Sequence, residues 1–201
     1  MFWDKVASVY DLFENIYNSK VYNGAGKAVA KLLDSLDIVL ECACGTGAIT
    51  KYMAPKCSKL IATDYSDGML RQAKKKCGKY GNVTFAKADI TCLGYPDNSF
   101  DKAVAGNVIH LLPEPEKAMK EMERVVKDGG KIIIPTYINS SQESSRKAVK
   151  FLEKLGADFK RQFDMETYQR FFSYLGYENV EYSIVEGRMP CAIAVITKRG
   201  V

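Results

Sequence analysis

Val39-Leu40-Glu41-Cys42-Ala43-Cys44-Gly45-Thr46-Gly47 decides how the rest of the chain is read. The apolar run Ile38-Val39-Leu40 predicts a buried strand. It passes into an acid, then into small residues and two glycines, and then into Ala48-Ile49-Thr50-Lys51-Tyr52-Met53, which predicts a helix start. Gly45 and Gly47 let the backbone take positive φ and let a ligand approach the main chain, while a helix N-terminus presents unpaired N–H groups. A nucleotide-like cofactor fits such a turn. The dinucleotide pattern G-x-G-x-x-G needs a third small residue at position 50, where this chain has Thr50. The alternative, E/D-x-G-x-G-x-G, begins on an acid at the strand end; Glu41, Gly45 and Gly47 fit it, with Ala43 where a glycine is expected.

Working outward, Leu60-Ile61-Ala62-Thr63 reads as a second strand ending in Asp64, about 20 residues beyond the turn, where a carboxylate can accept from ribose hydroxyls. Asn82 to Ala88 reads as a third strand ending in Asp89-Ile90. Asp97 to Ala105, followed by Asn107-Val108-Ile109-His110, forms a fourth block, and Glu121 to Gly130 a fifth. In this order, over residues 38 to 136, the blocks resemble those of the class I, Rossmann-like S-adenosylmethionine-dependent methyltransferases. The wording Ala43-Cys44-Gly45-Thr46-Gly47 is most similar to their ubiquinone and menaquinone C-methyltransferase branch.

The resemblance implies an α/β three-layer sandwich: a seven-stranded, mostly parallel sheet of order 3-2-1-4-5-7-6, the last strand antiparallel, with helices on both faces. The reversed end also follows from the residues. Val180 to Val185 and Cys191 to Ile196 read as strands, and their connection is too short for a parallel crossover. The chain is expected to be a single methyltransferase domain: an N-terminal lid helix over 1–23, a cofactor-binding half over 24–136, and substrate-side helices with the final strands over 137–201.

By the same resemblance the cofactor is S-adenosyl-L-methionine, with S-adenosyl-L-homocysteine as product. Its expected contacts are Glu41, Cys42, Ala43, Cys44, Gly45 and Gly47 at the methionine end, Asp64 with Tyr65 and Met69 at the ribose, Asp89 and Ile90 at the adenine, and Asn107 beyond the fourth strand. Phe2, Val6, Tyr10, Phe13 and Tyr17 recur at helical spacing, which predicts a packed helix. Tyr10, Tyr17 and Tyr22 are lid candidates whose hydroxyls could meet the cofactor and whose rings exclude water. Gly24 and Gly26 are expected to break the pattern before a second helix over Lys27 to Leu33. His110, the single histidine, lies near the expected methyl position and is the candidate general base. A lone histidine at such a junction is more often structural.

Further local signals fill in the helices. Ser66 and Asp164 are expected N-caps, and Pro113-Glu114-Pro115-Glu116 opens a helix that Gly129-Gly130 stops before the strand Lys131 to Pro135. Ala148, Val149, Leu152 and Leu155 predict one late helix, and Tyr168, Phe171, Phe172 and Leu175 another.

The composition of the 201 residues, 47% hydrophobic and 26% charged, is that of a globular chain. No apolar run approaches bilayer length, so a cytoplasmic protein is expected. The six cysteines, scattered singly, read as small buried residues, and with one histidine no metal site is expected. The net charge of +5 gathers in Arg71, Lys74, Lys75 and Lys76 on one solvated helix face, and nucleic acid is not an expected partner. The expected activity is methyl transfer to a small-molecule or lipid-like acceptor, with Tyr137, Phe159 and Phe163 as candidate pocket aromatics. The alternative is a non-catalytic cofactor-binding or scaffold protein of the same fold. Acceptor atom and oligomeric state are open.

Overall fold

The computed structural model describes residues 3–4, 18–139 and 160–200. The helices expected around Tyr10 and Tyr17 and around Leu152 lie outside them. Helix α1 spans Ser19–Ala30, strand β1 Ile38–Cys42, the single turn α2 Thr50–Met53, β2 Lys59–Asp64, α3 Asp67–Cys77, β3 Val83–Lys87, β4 Phe100–Ala105, α4 Pro115–Val125, β5 Val126–Tyr137, α5 Met165–Tyr174, β6 Glu181–Val185 and β7 Cys191–Thr197. The strands form one sheet in the order β3-β2-β1-β4-β5-β7-β6. β7 runs antiparallel to both β5 and β6, while the remaining pairs are parallel.

β1 is an interior strand of this sheet, between β2 and β4, and reads as a continuous apolar run because both of its faces are covered. Alternate side chains go to opposite cores. Leu40 and Cys42 join a core with Met119, Met122, Tyr168 and Phe172 of α4 and α5, while Val39 packs with Val21, Val29 and Met53 of α1 and α2. Leu60 and Ala62 of β2 face the same side as Val39, where Leu70 and Ala73 of α3 close the layer. The result is three layers, helix, sheet and helix, as the sequence leads one to expect.

Several local signals act as expected. The Ser66 hydroxyl accepts from Met69 N at 3.1 Å to cap α3. Asp164 forms a reciprocal capping box with Thr167 at α5. Others act differently. α1 runs straight through Gly24 and Gly26, so no helix boundary falls between residues 23 and 24. A Cβ at Gly26 would sit 2.2 Å from the Tyr52 ring, and one at Gly24 2.6 Å from Val185. These glycines are close-packing positions, whose closeness depends on residues far along the chain. Gly129 and Gly130 do not stop α4, which ends at Val125. They lie inside β5, where Gly129 N donates to Lys198 O and Lys198 N to Gly130 O, both at 2.9 Å. Pro135 does not end pairing either: it faces Ile193, and the ladder continues to Tyr137. Among the described residues no helix is long and apolar enough to cross a membrane.

Candidate active site

The parallel strands set Glu41 of β1 opposite Ala62 of β2 and Val104 of β4, so their carboxyl ends open on one rim. β1 lies where the strand order reverses, between β2 and β4, which is where open α/β sheets leave a crevice. A cavity of about 340 Å³ occupies that rim.

The turn after β1 floors it. Ala43, Gly45 and Gly47 take φ of 52°, 55° and 83°, so the chain needs left-handed backbone at three alternate positions. A Cβ built at Gly45 would meet nothing within 4 Å, so its backbone faces open space. Cys44 N donates to Thr63 O at 2.8 Å and Gly47 N to Cys44 O at 3.0 Å, tying the turn to β2 and to itself.

Two buried carboxyls converge there. Asp64 ends β2, and its oxygens accept from Gly45 N and Ser66 N, each at 2.8 Å. Burial raises its carboxyl above the usual range, against the pull of those two N–H groups. Glu41, 2% exposed, accepts from the Thr50 hydroxyl at 2.5 Å. Burial pushes it up to about 8, with nearby Asp64 adding to the effect. Among the described residues no lysine or arginine pairs with either acid, so a cationic, hydroxyl-bearing ligand suits the site.

Most of the residues expected at the cofactor line this one cavity: Tyr22, Glu41, Ala43, Cys44, Gly45, Asp64, Tyr65, Met69, Asp89, Ile90 and Asn107. Cys42 and Gly47 do not. Cys42 points into the α4 and α5 core, its thiol pushed above the ordinary range by burial. A Cβ at Gly47 would lie 3.0 Å from Cys77 and 3.4 Å from the Ala73 backbone, so its role is close packing against α3. Tyr10 and Tyr17 lie outside the described residues. Asn107, at φ 52°, donates its N–H to Pro135 O and accepts from Tyr137 N at 2.9 Å, latching the end of β4 to that of β5.

His110 is not gathered in. It is buried, it does not line the cavity, and burial alone pushes its imidazole down to about 4. The left-handed backbone at Asn107 redirects the chain after β4, and Arg161 N then donates to His110 O at 3.0 Å. Phe163 also misses the cavity, packing with Tyr168 and Phe171 in the core, and Phe159 lies outside the described residues. Cys92 is exposed, unlike the other five cysteines.

The structure adds residues that local reading missed. Trp3, the only tryptophan, lines the cavity, held beside it by Asp4. The Asp4 carboxylate accepts from Ser66 Oγ at 2.7 Å and Gly68 N at 2.8 Å, and the Ser66 bond above all holds it down at about 2. Leu111 and Leu112 also line the cavity, with Tyr137, the one expected pocket aromatic among the described residues that does. Thr50 was legible only as a residue that does not fit a dinucleotide motif. Its distance from Glu41, one tight turn away in sequence, was the available signal.

Comparison with known proteins agrees with this geometry. The family described as "Methyltransferase domain" matches residues 40–134. The ubiquinone/menaquinone biosynthesis C-methyltransferase UbiE of Francisella tularensis subsp. novicida is 30% identical, over 90% of this chain and 84% of its own length. The demethylmenaquinone methyltransferase of Clavibacter sepedonicus is 32% identical over 66% of this chain and 55% of its own. Among solved structures, a methyltransferase of Thermotoga maritima, titled a possible histamine N-methyltransferase, shares the fold with a TM-score of 0.76, 22% identity and coverage of 98% and 99%. Phosphoethanolamine N-methyltransferase 2 of Haemonchus contortus, in complex with S-adenosyl-L-methionine, shares it at 0.75 and 15%, over 100% of this chain and 60% of that one. Sheet order, cavity and relatives agree: the chain belongs to the class I S-adenosylmethionine-dependent methyltransferases, the family that includes UbiE.

Proposed function

We propose that this methyltransferase acts on a small, ring-bearing acceptor of the quinol class, bound beside the cofactor in the cavity at the carboxyl ends of β1, β2 and β4. The observation that carries the reading is the mixed lining of that cavity. It offers the buried acids Glu41 and Asp64 with the open backbone of Gly45, and it also offers apolar and aromatic surface from Trp3, Leu111, Leu112 and Tyr137. The first suits S-adenosylmethionine, and the second suits a flat apolar ring. The names of the UbiE relatives point the same way.

On this reading Asp64 takes the ribose hydroxyls on the lone pairs its two N–H donors leave, and Ile90 and Met69 wall the adenine with Asp89 at its edge. Glu41 and the Gly45 turn hold the methionine part, and Tyr22 covers it. When bound, the cofactor supplies a methyl group already activated on a sulfonium, so the protein has to align the acceptor and exclude water. Trp3, beside the anchored Asp4, shields the cavity from water. His110 is assigned to packing: a neutral, buried imidazole off the cavity is poorly placed to take the acceptor's proton.

The test is titration calorimetry with S-adenosylhomocysteine, NADH serving as control, followed by methyl transfer to quinol, amine and thiol acceptors. Binding of the first ligand alone and labelling of quinol ring carbon are expected. Asp64→Ala should lose roughly 1.5–3 kcal/mol of cofactor affinity, the worth of hydrogen bonds to a charged acceptor. Undiminished binding by that variant would overturn the ribose assignment, and transfer to amines alone would overturn the acceptor class.

A further inference from the structure

We propose, building on the cofactor reading above, that Thr50 is a positioning residue for cofactor binding: its hydroxyl holds the Glu41 carboxyl toward the cavity, so that loading the cofactor is coupled to the ionisation of Glu41. Thr50 is fully buried at the first turn of α2, directly behind the glycine turn. Its Oγ1 donates to Glu41 Oε2 at 2.5 Å, across the tight turn that separates the end of β1 from α2. That bond holds Oε2 and leaves Oε1 as the oxygen for a ligand. Such a carboxylate is held in one rotamer before the ligand arrives, which lowers the ordering cost of binding.

The groups facing Glu41 make its ionisation depend on the ligand. From β2 comes Asp64, a second acid. From its own strand end come the Cys42 and Cys44 thiols, from α3 Cys77, and from the segment after α2 Cys57, all pushed up by burial and none cationic. The neighbouring Lys51 lies instead over the rings of Tyr22 and Tyr52, 5.3 and 4.8 Å from their centroids. Burial, with Asp64 adding to it, therefore keeps the proton on Glu41 up to a pH of about 8. A bound ammonium beside it reverses the balance, since an opposite charge nearby favours the anion. The proton leaves for solvent, and affinity must then rise with pH while the empty site is still protonated.

The experiment measures S-adenosylhomocysteine affinity from pH 6 to 9 by calorimetry in phosphate and in Tris, whose different ionisation heats report protons released. It compares wild type, Thr50→Val, Thr50→Ser and Glu41→Gln. Wild type should release a proton near pH 7 and bind about tenfold tighter per pH unit at most on the rising limb. Glu41→Gln, showing only the ligand's own titration, should release none. Thr50→Val keeps shape and backbone N–H; at pH 7 it should bind about tenfold more weakly. Its rising limb should move to higher pH, and Thr50→Ser should restore both. Equal weakening by Thr50→Val at every pH would mean a merely structural residue and overturn the inference, as would a wild type that binds without releasing a proton. A wild type that fails to bind at any pH would instead overturn the cofactor reading on which the inference rests.

Discussion

The two ends of the sheet treat buried acid in opposite ways. At the amino end, Lys102 of β4 is inserted between Asp34 and Asp37, 2.9 Å from the first and in direct contact with the second, with side chains of Lys102 and Asp37 only 8% and 11% exposed. Beside it Asp101 accepts from Ile38 N at 2.8 Å and Lys127 Nζ at 2.7 Å; these bonds overcome its partial burial and hold its carboxyl below the usual range. At the carboxyl end, Glu41 and Asp64 are buried against neutral donors and against each other. The amino end settles its charges within the fold, and at the carboxyl end no lysine or arginine among the described residues pairs with the acids. Such an end costs stability in the empty protein, which is the usual bargain at a binding site.

The largest effect that could break this contrast is at the paired end. Lys102→Met leaves Asp37 buried without its cation and should cost about 3–5 kcal/mol in urea unfolding, with cofactor affinity unchanged in the folded fraction. A loss under about 1 kcal/mol would mean the cluster is solvated like an ordinary surface pair.

The next effect lies at the unpaired end. Glu41 has a higher pKa folded, about 8, than unfolded, where a glutamate titrates near 4.5. Between those values the unfolded chain holds fewer protons than the folded one, so stability falls as pH rises, full below the unfolded pKa and lost through about pH 8. The apoprotein should therefore lose on the order of a few kcal/mol across that window, and Glu41→Gln should flatten the slope. A slope identical in the variant would assign it to other groups. The smallest effect sharpens the contrast at the turn. Ala43 holds φ 52° without being glycine, so Ala43→Gly should raise thermal stability by up to about 1 kcal/mol, strain relief outweighing the added freedom of the unfolded chain.

The legibility of the molecule follows the same division. Strands β1, β2 and β4, the caps Ser66 and Asp164, and the acids Glu41, Asp64 and Asp89 that line the cavity are local patterns, a buried run ending in a turn or an acid, and each could be located within a few residues. What could not be read were contacts whose partners are far apart in sequence. Gly24 and Gly26 look like helix breakers until Val185 and Tyr52 are packed on them. Gly129-Gly130 looks like a stop until Lys198 pairs across it. His110 sits beside the fourth strand in sequence but does not line the cavity, and Trp3 lines it beside Asp4, which reaches Ser66 across the fold.

The sequence by itself determined the reversed last strand and the acids along the rim, because connection length and acid placement are short-range properties, while the sheet order was legible only through the resemblance to a known family. Tertiary structure alone decided which side chains share the cavity and which acids find a counter-charge. Burial and pairing depend on what comes to lie opposite, and elements distant along the chain supply it.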